Sequence, residues 1–131
     1  MSEKQTLMRA FNKHFFEFLD DIIRIFPENK DISIAKTSFE TIKHANPIAI
    51  IKVWYQQVYL RYKEVIDDGN IDFFFDKDYG SDLAHVANAN DIMKTIDKIR
   101  DPIRSMSDVN KAHSAKYIQN LSKLSMMYNG L

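Results

Sequence analysis

EKQTLMRAFNKHFFEFLDDIIRIF, residues 3–26, decides the fold class. Leu7, Phe11, Phe15, Phe18, Ile22 and Ile25 recur at three- and four-residue spacings, the repeat that gathers side chains on one side of an α-helix. Met8, Leu19, Ile23 and Phe26 widen that stripe to nearly half the cylinder, while Arg9, Lys13, Glu17, Asp20 and Arg24 line the other side. So broad an apolar face predicts a central helix that touches more than one neighbour. Pro27 ends it, and Pro-Glu-Asn-Lys-Asp reads as a turn.

Working outward, the same period predicts a second helix from Asp31 or Ser33 to His44, with Ile32, Ala35, Phe39 and Ile42 inward. Asn46-Pro47 then supplies a cap residue and a proline at the first helical position, where its missing N–H costs nothing. A third helix over 47–66 buries Ile51, Trp54, Tyr55, Val58, Tyr62, Val65 and Ile66, with Gly69 as its C-terminal cap. Ile50, Val53 and Leu60 lie on its other side, as a second buried contact or as a surface patch for a partner.

Residues 67–82 break the pattern. Ser81 or Asp82 can cap a fourth helix beginning at Leu83, which Ala-Asn-Ala-Asn at 87–90 interrupts. Ile92, Ile96, Ile99, Ile103 and Met106 form a narrow coiled-coil-like seam, and Pro102 within it predicts a kink or a restart capped by Asp101. The last helix, Asp108 to Tyr128, packs Tyr117, Ile118, Leu121, Leu124 and Tyr128, and Asn129-Gly130 closes it. The expectation is an all-α, compact bundle of five to six helices in one domain, 1–131, with an irregular acidic-aromatic loop at about 67–82.

Charge is distributed unevenly. Residues 64–91 hold eight acids (Glu64, Asp67, Asp68, Asp72, Asp76, Asp78, Asp82, Asp91) against one base, Lys77. Both flanks are basic, so the neutral total hides a basic–acidic–basic layout that suits docking or self-association better than catalysis. Within the acidic stretch lies Phe73-Phe74-Phe75, three adjacent rings that cannot all face inward from one regular element. They read as a plug on the bundle end or as an aromatic anchor for another subunit, with acidic surroundings that steer a basic partner. The candidate interaction residues are therefore Phe73, Phe74, Phe75, Asp72, Asp76, Asp78 and Tyr79.

Other chemistry finds little support. The chain has no cysteine, which removes disulfides, thiolate metal sites and thiol nucleophiles. An EF-hand loop starting at Asp76 would need glycine sixth and glutamate twelfth, where Ser81 and Ala87 stand. No metal and no cofactor is expected. His14, His44, His85 and His113 are not paired at helical spacing, and no glycine-flanked serine forms a nucleophile elbow. Three glycines, Gly69, Gly80 and Gly130, cannot make a phosphate-cradling loop, so no enzyme is expected. No apolar run approaches the roughly 20 residues that span a bilayer, and the N-terminus lacks a cleavage-type site, so membrane partners and secretion are not expected. After Asp108 no acid follows, while Lys111, Lys116 and Lys123 remain, with Lys116 and Lys123 in one stripe with His113 and Asn120. The pI near 6.9 falls short of a nucleic-acid binder's usual basic footprint.

Isoleucine outnumbers leucine 16 to 7, a bias that helix propensity does not explain and an AT-rich coding genome does. The segments FNKHFFEFLDDIIRIFPENKDI (11–32), AKTSFETIKHANP (35–47), IIKVWY (50–55), FFFDKDY (73–79) and YIQNLSKLSMMY (117–128) resemble small, uncharacterised helical proteins of large nucleocytoplasmic DNA viruses, the algal-infecting group most. The resemblance implies a viral protein acting in infected-cell cytoplasm or in the particle, and it carries no functional residues with it. The sequence thus points to a cytoplasmic, non-enzymatic protein that works by protein–protein interaction or in a structural role, with other proteins or a second copy as partner. The alternative is a nucleic-acid-binding accessory protein using the basic C-terminal third.

Overall fold

The computed structural model describes residues 2–69, 95, 98 and 102–130. Every regular element among them is helical and none is a strand, so the protein is all-α. Helix α1 is Glu3–Ile25 and α2 is Lys30–Ala45. The third helical stretch has three parts: α3 (Ala49–Val53), a π-helical segment (Trp54–Tyr59) and α4 (Leu60–Asp67). Helix α5, Asp108–Asn129, follows a short helical piece at 102–104.

The helix ends follow capping chemistry. Ser2 accepts the Gln5 N–H at 3.1 Å, Asn29 accepts that of Asp31 at 2.9 Å, and Ser107 accepts that of Asn110 at 3.3 Å. At the third stretch the start is two residues later than the Asn46-Pro47 pair predicts. Asn46 spends its side chain on the Ile48 N–H at 3.4 Å and its carbonyl on the Ala49 N–H at 3.1 Å, so Pro47 and Ile48 form a turn before the helix. Gly69 ends α4 at φ 78°, a left-handed conformation that favours glycine. Gln119 of α5 reaches across and donates to the Ile66 carbonyl at 2.8 Å, which ties that terminus to the core.

Phe11, Phe15, Phe18, Leu19 and Ile22 of α1 are fully buried, as the broad stripe requires. Phe15 meets Phe39 edge-on at 4.7 Å between centroids, and Phe11 and Phe15 each meet Trp54 at 6.1 Å. Helix α1 packs against α2, α3 and α5, so it is central as the sequence predicts. The third stretch is central too, since α3 touches α1, α2 and α5. For that reason Ile50 and Val53 are buried (1% and 0% exposed), and Leu60 alone of the expected Ile50/Val53/Leu60 patch is exposed. That patch is not an apolar route to an oligomer. Ile103 and Met106 are buried as the seam predicts. The rest of the seam, the Asp101 cap and the helix beginning at Leu83 lie outside the described residues.

Candidate functional site

Two surfaces of the described residues collect chemistry, and the register of the helices sets both. Helices α1 and α2 run antiparallel, so residues late in α1 face residues early in α2. Lys36 donates to Asp20 Oδ1 at 2.6 Å, Lys43 stands 4.9 Å over the Phe16 ring, and Asn12 donates from Nδ2 to the Pro47 carbonyl at 3.0 Å. Between these ties runs a groove of about 740 Å³, floored by Met8, Asn12 and Phe16. Its end at Pro47 is lined by Arg9, Lys13, Lys43 and His44 and by no carboxylate. Its other end holds Glu17, Asp20, Glu40 and Lys36. The Asp20 hydrogen bond, partly opposed by desolvation, raises the Lys36 pKa and keeps that ammonium charged. With Asp20 and Lys36 paired, Glu17 and Glu40 leave this end acidic. The groove is therefore dipolar along its length. Asn12, 6% exposed, has a buried Oδ1 with no hydrogen-bond partner in that floor.

The second surface is the outer ridge of α5. His113, Lys116, Asn120, Lys123 and Met127 follow one another at three- and four-residue spacings, and all are exposed. Shallow grooves of about 540 Å³ and 330 Å³ flank the ridge, the first against α1 and the second against Tyr59 and Asp67. The C-terminal end of the ridge is apolar. Met126 and Met127 are 41% and 44% exposed, the Tyr59 hydroxyl donates to Met126 Sδ at 3.3 Å, and Tyr55 stacks on Tyr59 at 5.8 Å. The π-helical turn carries those tyrosines, and such turns recur at functional sites.

Beneath this ridge, His14 of α1 packs its ring 4.8 Å from that of Tyr117, with Nδ1 4.0 Å from Glu17 Oε1 and a buried Nε2 that has no hydrogen-bond partner. Burial lowers its pKa, and the Glu17 carboxylate offsets part of that effect. Tyr117 also stacks on Phe18 at 5.1 Å, and desolvation first, then Asp21 and Glu17, raises its pKa. Tyr128 is 6% exposed. Tyr128 is in the core and Tyr117 is half-buried against it, as their place on the apolar face predicts.

The predicted interaction residues Asp72, Phe73, Phe74, Phe75, Asp76, Asp78 and Tyr79 lie outside the described residues, as do His85 and the acidic run at 76–82. His44 and His113 are exposed and far apart in sequence; His14, midway along α1, is half-buried. Among the described residues no three His, Asp or Glu side chains converge as a metal site would need, and no helix is long and apolar enough to cross a membrane. Two features have no sequence signal strong enough to flag them. One is the Asn12 amide, a polar residue inside the apolar stripe; the other is the set of buried serines on α5. Ser122 accepts the Trp54 indole N–H at 3.0 Å, Ser125 donates to the Ser122 carbonyl at 2.7 Å, and Ser114 donates to Met106 Sδ at 3.2 Å. No protein-family model, no curated protein and no solved structure matches this chain.

Proposed function

We propose that the protein is a non-enzymatic helical protein that works by binding other proteins, a second copy of itself among them. The observation that carries this reading is the α5 ridge, an exposed line of basic residues that ends in exposed methionines beside a stacked tyrosine pair. Methionine is adaptable at binding surfaces, and tyrosine supplies rigid area with a polar tip. The complementary charge exists in the same chain, in the acidic 64–91 stretch that holds the Phe73-Phe74-Phe75 triplet. A basic ridge on one copy and an acidic, ring-bearing segment on another give a head-to-tail or symmetric association. The cytoplasmic setting and the viral source, with a role in infected cells or in the particle, belong to this proposal and rest on the resemblance of the strings quoted above.

Light scattering on the full chain tests it. The expected result is a mass above that of the monomer at low salt, falling toward it as salt rises or when Lys116→Glu and Lys123→Glu are combined. Changing Phe74 and Phe75 to serine should weaken the same association without unfolding the chain. A strict monomer at high concentration, indifferent to salt, overturns self-association. The competing reading, nucleic-acid binding through Lys116 and Lys123, is favoured instead if a gel shift at low salt retains DNA and loses it steeply as salt is added.

A further inference from the structure

The dipolar α1–α2 groove shares Lys13 and Glu17 with the shallow groove beside the α5 ridge, but its floor lies between α1 and α2 and its chemistry specifies a different kind of ligand. We propose that it binds a short extended peptide segment that carries a carboxylate at one end and an ammonium or guanidinium about four residues away.

Three observations converge on that class. First, the charges are segregated: Arg9, Lys13 and Lys43 at one end, Glu17 and Glu40 at the other, with the Asp20–Lys36 pair closing off the acidic end. A simple anion would use one end and be repelled by the other, and a simple cation the reverse. A ligand with opposite charges at its two ends uses both. Second, the spacing fits a peptide. From Lys13 to Glu17 the helix rises about 6 Å, and from Arg9 about 12 Å. An extended chain covers that span in roughly two to four residues at about 3.3 Å each. Third, the floor between the two ends is partly apolar, with Met8 and the Phe16 ring both half-buried, and it contains the Asn12 amide oxygen that lacks a donor. Peptide N–H groups are donors at regular intervals, and an apolar side chain between the two charges would lie against the edge of the Phe16 ring, beside the Lys43 ammonium that stands over its face. Met8, whose sulfur accepts from Asn12 Nδ2 at 3.4 Å, is a flexible side chain that can move off the amide, so that a peptide carbonyl takes its place at Nδ2 while a peptide N–H donates to Oδ1. The pocket is also firmly built, because Asn12 ties α1 to Pro47 and Lys36 ties α2 to α1.

The experiment is a nitrogen-15 amide titration of the full chain with acetyl-Glu-Ala-Phe-Ala-Lys-amide. A second titration uses the same peptide with glutamate in place of lysine. The first peptide should shift amides of α1 and α2 around Asn12, Phe16 and Lys43 saturably, and the second should bind about tenfold more weakly, since its second carboxylate meets Glu17 and Glu40. Lys43→Glu should weaken the first peptide by a similar factor. Glu17→Lys combined with Glu40→Lys should reverse the preference, so that the doubly acidic peptide binds better. Lys116→Glu alone, on the ridge but lining neither groove that contains Lys13 and Glu17, should leave the peptide titration unchanged, which keeps this inference separate from the ridge reading. No saturable shift at millimolar peptide, equal affinity for both peptides, or shifts confined to α5 each overturns it.

Discussion

Between α1 and α2 the core is ring against ring, whereas along α5, beside the Phe18–Tyr117 stack, it sets ring and aliphatic chain against hydroxyl. On the first side Phe11, Phe15, Phe39 and Trp54 fill the space with flat, apolar volume. On the second, α5 buries Ser114, Ser122 and Ser125 among Ala115, Ile118 and Leu121, so its backbone comes close to its neighbours and polar groups are enclosed. Aromatic volume is partly interchangeable, because a ring can give way to another apolar group of similar size. A buried hydroxyl is not, because its value lies in one partner at one distance. The two sides therefore answer substitution differently even where burial is equal.

The largest expected effect is on the ring side. Phe15→Ala should cost about 3–5 kcal/mol in urea unfolding, a large part of the total stability of a domain this size. Phe15→Leu should keep most of it, with a loss under about 1.5 kcal/mol. Equal losses for the two variants would mean that ring geometry, not volume, holds that side, and the contrast with α5 would collapse. On the hydroxyl side, Ser122→Ala changes little volume yet removes the acceptor of the Trp54 indole N–H, so a loss of about 1–3 kcal/mol is expected. Combining it with Trp54→Phe in a double-mutant cycle sharpens the point. The coupling should lie in the range of about 0.5–3 kcal/mol, and a value near zero would assign Ser122 to close packing alone.

The same contrast explains what could be read in the sequence. The ring side announces itself, since large apolar residues at helical spacing leave few other places to go; Glu3–Ile25 has the predicted bounds to within a residue, and Asp108–Asn129 likewise. The hydroxyl side is silent, because serine on a helix is as common outside as inside and only a partner such as Trp54 fixes which. The π-helical turn is an intermediate case. Ile50, Trp54, Val58, Tyr62 and Ile66 recur strictly every fourth residue, a spacing that drifts round an α-helix of 3.6 residues per turn. Wider i→i+5 turns over Trp54–Tyr59 bring such residues back toward one face, so all but the half-buried Tyr62 are buried. Tyr62, at φ −126° and ψ 18°, is where the stretch returns to α-helix through a kink. The groove between α1 and α2 was hidden for another reason. Its charges are spread over two helices, and only their antiparallel register sorts them into opposite ends.

His14 lies on the border between the two sides, on α1 but against Tyr117 of α5, and gives the smallest and most diagnostic effect. Desolvation disfavours its charged form in the folded chain, so its folded pKa is below the ordinary 6.5. As pH falls, the unfolded chain takes up this proton first. Stability is therefore full above about pH 6.5 and declines as pH drops from there to the folded-state value. Glu17, 4.0 Å from Nδ1, attracts the proton, so the carboxylate narrows the window without reversing its sign. The check is thermal unfolding from about pH 8 to about pH 5 for the natural chain and for His14→Gln. The variant should be less stable at the upper end, where the neutral ring packs on Tyr117, and should show a shallower decline on acidification. An equally steep decline in the variant would place the proton uptake elsewhere and make the α1–α5 seam as indifferent to charge as the aromatic side already is, since no histidine lines the contact between Phe15, Phe39 and Trp54.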